Sequence, residues 1–237
     1  MRYQVNEKFF YKWNSRTAYL LGFIYADGTI YPSARGKYFA VTNTDKILIL
    51  ITKRLLQSTH PITHRIGIAN RKDRFILRIG NKNLYDSLVA RGLYPSKSLT
   101  IRMPSIPQRV LGHFVRGYFD GDGCVSLYRT KGARGKLIVR KLSVIFTSGS
   151  KAFLEDLLRT LQQELPLRQT RVYNGHRSFQ LRFATHDSIA LYWFLYHDAK
   201  CLALPRKKKI FEHYRTLRKE KVGRMFESLS FLKHGEH

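Results

Sequence analysis

The chain gives one instruction twice, about 95 residues apart. Leu20 to Gly28 reads LLGFIYADG and Val115 to Gly123 reads VRGYFDGDG, each an apolar run with a glycine inside it and an Asp-Gly at its end. Glycine inside a helix costs about 1 kcal/mol relative to alanine, so Gly22 and Gly117 need a reason to be there. A close helix–helix crossing supplies one, because a missing side chain lets two backbones approach. Ala26 and Gly121, four residues on, fall on the same helix faces. Two such helices packed about a pseudo-twofold axis would bring their C-terminal ends together, and Asp27 and Asp122 with them.

Carboxylates at helix C-termini face the negative end of the dipole and the unpaired terminal carbonyls. Two together are unfavourable without a cation and suit a hard divalent ion: Mg2+ first, with Mn2+ or Ca2+ as alternative occupants. Such an ion polarises a phosphate, lowers the pKa of an attacking water and steadies the leaving oxygen. Either motif alone reads equally well as a helix stop, since Asp-Gly is a common turn pair. Both together, in register with repeated strands, do not. Tyr25 and Asp120, two residues before each acid, are mismatched and read as structural.

The landmarks that follow repeat in order. Helix 15–27, with Ser15 or Thr17 as N-cap, precedes a hairpin of strands 29–35 and 37–43 that turns at Arg35-Gly36-Lys37. A helix over 46–57 comes next, then strands near 64–70 and 74–80 separated by Asn70 to Asp73. Asn81 caps a helix near 82–91 and Gly92 stops it. The second half runs helix 107–122, strands near 124–130 and 137–146 around the basic loop Lys131 to Lys136, a helix from Phe153 to Leu165, and the strand Phe179 to Phe183. Pro95-Ser96-Lys97 is echoed by Pro205-Arg206-Lys207. The last thirty residues, with Arg215, Arg218, Lys219, Lys221 and Arg224, read as a basic helix with a frayed tail. The expected architecture is α+β: two pseudo-symmetric αββαββα halves, 1–103 and 104–237, joined where Pro104 and Pro107 interrupt any helix.

Lys and Arg total 43 against 16 Asp and Glu, a formal net charge of +27 at pH 7. That excess repels itself in a compact molecule and implies a polyanionic partner. DNA and RNA lead, because cationic side chains release their condensed counterions. No run approaches a membrane span or the apolar core of a secretion signal, so no membrane partner is expected. Cys124 and Cys201 cannot build a disulfide framework or a Cys-rich zinc site, and the nine histidines show no paired ligand spacing. An intracellular, reducing compartment (cytoplasm, nucleoid or organelle matrix) is expected.

Period-two alternation sets Phe75, Leu77, Ile79, Phe179, Leu181 and Phe183 against helices. It leaves Arg74, Arg78, Gln180 and Arg182 on an open face. In the major groove Arg pairs with guanine and Gln with adenine. Tyr31, Ser33, Arg35, Tyr38, Arg65, Ser126, Tyr128, Lys141, Arg171 and Tyr173 join them as candidate DNA contacts. Lys97 and Lys207 are candidates for stabilising charge at a scissile phosphate. Simple phosphate contact or a solvated charge stays open for both, most of all for Lys207, which lies in the run Arg206 to Lys209. Asn43 and Ser148, ending the second strand of each hairpin, are candidates to hold an active-site water.

LLGFIYADG and VRGYFDGDG resemble the signature of the LAGLIDADG homing endonucleases, in the single-chain form with two motifs, and the resemblance covers nearly the whole chain. It implies a saddle of antiparallel sheets along the major groove of a long, weakly palindromic target, with the motif helices at the centre. It also implies a monomer that makes a metal-dependent staggered double-strand break in double-stranded DNA, promoting copying of a host intron or intein. Residue by residue, Asp27 and Asp122 take the place of the metal-binding acids, and Ala26 and Gly121 add backbone carbonyls. Lys97 and Lys207 match the pocket lysines, and Asn43 and Ser148 stand near the family's polar position. Neither end carries the nucleophile or terminal Asn of a self-splicing intein, which suggests a free-standing or intron-encoded protein. Relatives on this scaffold assist splicing, so an RNA maturase with an intron RNA partner stays open. A non-cleaving DNA-binding protein and a basic structural RNA-binder stay open too. Retention of both acids favours the nuclease, because binding alone needs neither.

Overall fold

Each half of the chain closes its own four-stranded antiparallel sheet in the computed structural model, which describes residues 3–132, 135–168, 170–197, 202–219 and 222–224. Cys201, Lys221, the hairpin-loop residues Ala133 and Arg134, and the tail from 225 onward lie outside the described residues. The first half runs α1 (Ser15–Asp27), β1 (Gly28–Ser33), β2 (Gly36–Asn43), α2 (Lys46–Leu55), β3 (Ile62–Arg65), β4 (Arg74–Gly80) and α3 (Lys82–Ala90). The second repeats the order with α4 (Gln108–Asp122), β5 (Gly123–Lys131), β6 (Leu137–Ser148), α5 (Lys151–Glu164), β7 (Val172–Gly175), β8 (Ser178–Phe183) and α6 (Thr185–Tyr196). A last helix, α7 (Pro205–Leu217), follows. Strand order is β1-β2-β4-β3 in one sheet and β5-β6-β8-β7 in the other. The α+β class and the repeated αββαββα order match the sequence expectation.

Local chemistry sets the element ends, and it moves some of the expected ones. The cap of α1 is Asn14, whose side-chain oxygen accepts from the N–H groups of Arg16 at 2.9 Å and Thr17 at 3.0 Å. Thr17 is the third helical residue of a capping box, its hydroxyl accepting from Asn14 N–H at 2.8 Å. Asn81 and Ser150 cap α3 and α5 by accepting from Leu84 and Phe153 N–H. The first hairpin turns at Ala34-Arg35 and not at Arg35-Gly36-Lys37, because Ser33 already pairs with Gly36.

The larger departure is β3, which ends at Arg65, eight residues short of Asp73. Asp73 folds the chain back, one carboxylate oxygen accepting from Gly67 N–H at 3.0 Å and the other lying 2.8 Å from His64 Nε2. A Cβ on Gly67 would lie 1.8 Å from the carbonyl oxygen of Arg71, so glycine is what admits the fold-back. Residues 66–73 are therefore a shaped loop and not a strand with a short turn.

The core of each half lies between sheet and helices. Ile30, Phe39, Val41, Leu77 and Ile79 are buried beneath α2 and α3. Leu142, Val144, Phe146, Leu181 and Phe183 are buried against α5 and α6. Helix α6 is covered almost all round, as a run such as IALYWFLY requires. Helix α7 lies on β5 and β6.

Helices α1 and α4 are the tightest pair. A Cβ on Gly22 would stand 1.9 Å from the carbonyl oxygen of Phe114, and one on Gly117 would stand 1.9 Å from that of Tyr19. Across the contact, Tyr19 donates to a carboxylate oxygen of buried Asp120 at 2.8 Å. The Arg116 guanidinium lies 5.6 Å from the Tyr19 ring centre and donates to His113 Nδ1 at 2.8 Å. Tyr25 donates to the carbonyl of Arg91 at 2.8 Å. This packing draws α4 into the first compact unit, Met1–Asp122, leaving Gly123–His237 as the second. The repeat join near residue 103 and the division into compact units thus fall in different places.

Candidate active site

Asp27 closes α1 and Asp122 closes α4. A Cβ on Gly121 would lie 2.5 Å from the Ala26 methyl and 2.9 Å from an Asp27 carboxylate oxygen, so the foot of α4 abuts the foot of α1. Asp27 is half-buried and Asp122 exposed. Neither helix carries a basic residue in its last turn to offset the dipole.

Asn43 reaches Asp27 directly: its amide donates to a carboxylate oxygen at 2.7 Å while its own carbonyl accepts from Asp45 N–H at 2.6 Å. Asn43 therefore orients the acid. The register makes Ser148 its counterpart, because Gly28 opposes Val41 and Gly123 opposes Phe146, with Asn43 and Ser148 each two residues further on. Ser148 accepts from Ser150 N–H at 3.1 Å, the same local bond.

Lys97 enters from a 3-10 turn, Lys97–Leu99, after Ser96 in a left-handed conformation at φ 57°. Only 6% exposed, it donates to the carbonyl of Tyr25 at 2.6 Å. Burial pushes its ammonium down to about 8, against the upward pull of Asp122 and, less, of Asp27. One buried lysine thus senses both acids. Lys207 on α7 is 3% exposed among more exposed neighbours, which removes the solvated-charge alternative for it, and it donates to the carbonyl of Gly123 at 2.5 Å. The two lysines do not hold equivalent carbonyls, since one precedes Asp27 by two residues and the other follows Asp122 by one.

The donor set fits a hard divalent cation in kind: two carboxylates at the ends of abutting helices, where terminal carbonyls lack intrahelical partners, offer the oxygen ligands such an ion prefers. Among the described residues no group of three or more His, Cys, Asp or Glu offers a rival metal centre.

Each sheet also presents an open face. In the first, Tyr31, Tyr38, Arg65, Arg74 and Arg78 share it, with the Tyr31 and Tyr38 rings stacked at 5.5 Å and Arg78 over Tyr38 at 5.8 Å. Ser33 and Arg35 are exposed at the hairpin turn. In the second, Ser126, Tyr128, Lys141, Tyr173, Gln180 and Arg182 share a face, and Arg171 and Arg182 lie over the Tyr173 ring at 5.3 and 5.5 Å. A groove of about 760 Å³ there is lined by Ser126, Tyr128, Lys141, Tyr173 and Arg182 among others. Alternation in β4 and β8 alone does not find Thr42, Thr63, Ser143 or Thr147, which the strand pairing adds to these faces.

The model of the LAGLIDADG-like domain matches the chain twice, over residues 14–89 and 109–192. No curated protein sequence matches it. Among solved structures, the I-LtrWI LAGLIDADG homing endonuclease bound to target DNA aligns with a TM-score of 0.55 at 15% identity, covering 94% of this chain and 98% of that one. I-WcaI bound to its DNA recognition sequence gives 0.58 at 16%, over 86% and 91%. The meganuclease I-AabMI bound to uncleaved DNA gives 0.57 at 15%, over 95% and 100%. At such identity these likenesses carry the fold. Because the two family matches together span more than half of the residues, one on each motif, the chain belongs to the LAGLIDADG family in its single-chain, two-motif form.

Proposed function

We propose that the chain is a site-specific DNA endonuclease, a divalent-metal-dependent hydrolase that makes a staggered double-strand break at a long target and so promotes intron homing. One observation carries the reading: the α1–α4 crossing ends in two acids that a single buried lysine senses together. Binding DNA would need only the cationic sheet faces. A buried ammonium beside paired carboxylates is the furniture of chemistry.

Asp27 and Asp122 would hold the metal, with the carbonyls of Ala26 and Gly121 beside them. Bound Mg2+, or Mn2+ or Ca2+ in its place, supplies polarisation of the phosphate and a lowered pKa for the attacking water. Asn43 keeps Asp27 turned into the site. Lys97, beside both acids, would add positive charge as phosphoryl oxygens gain negative charge, and the same role is proposed for the buried Lys207. The open-face Arg, Lys, Gln and Tyr side chains would read and grip double-stranded DNA, as the DNA-bound neighbours suggest. With both acids on one chain a monomer suffices, and an intracellular reducing compartment suits the reading.

The test is cleavage of a randomised plasmid library by the full chain with Mg2+. Chelator should abolish cutting. Asp27→Asn and Asp122→Asn should each slow it about a hundredfold or more, the scale of losing a charge-stabilising group, while leaving duplex affinity in place. Cutting that survives chelator, or is unchanged in either variant, ends the reading.

A further inference from the structure

The two most exposed large apolar side chains among the described residues stand together, Ile66 at 77% and Ile68 at 81%. They occupy the loop between β3 and β4, which also carries Arg71 and Lys72 and is bracketed by Arg65 and Arg74. The loop is not loose. Asp73 clasps Gly67 N–H and the His64 ring, that ring stacks on Phe75 at 4.7 Å, and Arg71 N–H donates to the carbonyl of Ile68 at 3.3 Å. A loop held open in this way keeps two isoleucines in water that a slack one would bury by collapsing.

The position suggests what covers them. Arg65 and Arg74 are a register pair on the open face of the first sheet, so the loop extends the surface that carries Arg78 and Tyr38. The equivalent connection between β7 and β8 is only His176-Arg177, without an apolar side chain. In a major groove the apolar feature is the thymine methyl group. The neighbouring cations match the phosphates on either side.

We propose that Ile66 and Ile68 read thymine methyl groups in one half-site of the duplex target, with Arg71 and Lys72 on the flanking phosphates. This rests on the DNA-binding reading above and adds a sequence preference confined to one half of the site.

The test uses duplexes selected by the full chain from a randomised pool under non-cleaving conditions, resynthesised with each thymine replaced in turn by uracil, which removes only the methyl. The wild-type chain should lose about fourfold in affinity for each methyl it covers, at one or two positions in a single half-site. The Ile66→Ala/Ile68→Ala variant should bind the thymine duplex with that weaker affinity and lose nothing further on uracil. Its melting temperature should match the wild type, since both side chains are exposed. Selected sites without a thymine preference there would overturn the proposal, as would equal uracil losses in variant and wild type. So would vesicles of anionic lipid that bind the wild type and not the variant. A chain that selects and cuts a site indifferent to the methyl sinks this proposal alone; one that selects no duplex sinks the nuclease reading with it.

Discussion

At Lys97 the ammonium falls to about 8 although two carboxylates pull it upward, so burial outweighs their attraction. In the unfolded chain the same group sits at the ordinary lysine value of 10.5. Between those values the unfolded state holds a proton that the folded state has released, so stability rises with pH across that window. Below about pH 8 the folded protein carries the full penalty, on the order of 3 kcal/mol. Denaturant unfolding of the metal-free protein from about pH 7 to 10 should show this rise, and Lys97→Met should lack it. A Lys97→Met profile that climbs in parallel with the wild type would refute the assignment. That Asp27, Asp122 and Lys97 lie near one another was legible in the sequence, because each has an echo in the other half. The role of Asn43 was not, since its bond to Asp27 depends on which residue β2 sets beside the foot of α1. Nor was the burial of Lys207, because a run of cations does not say which one turns inward.

The helices α1 and α4 show how two glycines govern an element pair. On an exposed helix Gly→Ala would stabilise by about 1 kcal/mol. Here the added methyl of Gly22→Ala or Gly117→Ala would meet a backbone carbonyl at 1.9 Å, and backbone cannot swing aside as a side chain can. Each substitution should therefore destabilise, by about 3 kcal/mol or more, and lower the thermal midpoint followed by circular dichroism. A raised midpoint would mean the helices are not in contact there. The crossing was legible because a helical glycine asks for a partner and the sequence holds two. The short β3 was not: THRIGIAN alternates well enough for a strand, and periodicity cannot see the Asp73 clasp that turns the chain back.

For the whole molecule the net charge of +27 is the quantity that experiment reaches first. If six to ten cations neutralise phosphates, affinity for a selected duplex should fall by about 10³ to 10⁵ between 50 and 200 mM salt. Fluorescence anisotropy over that range checks it, and a flat response would remove the groove-length interface. The repeat was legible from its landmarks, but the boundary between compact units was not, because α4 belongs to one half by descent and to the other by contact.

That double allegiance has an evolutionary meaning. At the crossing there is no space for a single methyl, whereas the strand faces turned away from the core hold side chains that support nothing beneath them. Drift will be accepted on the strands and refused at the crossing. On the proposed function, a mobile element whose insertion point mutates can follow the new letters with its strands while the cutting apparatus stays as it was.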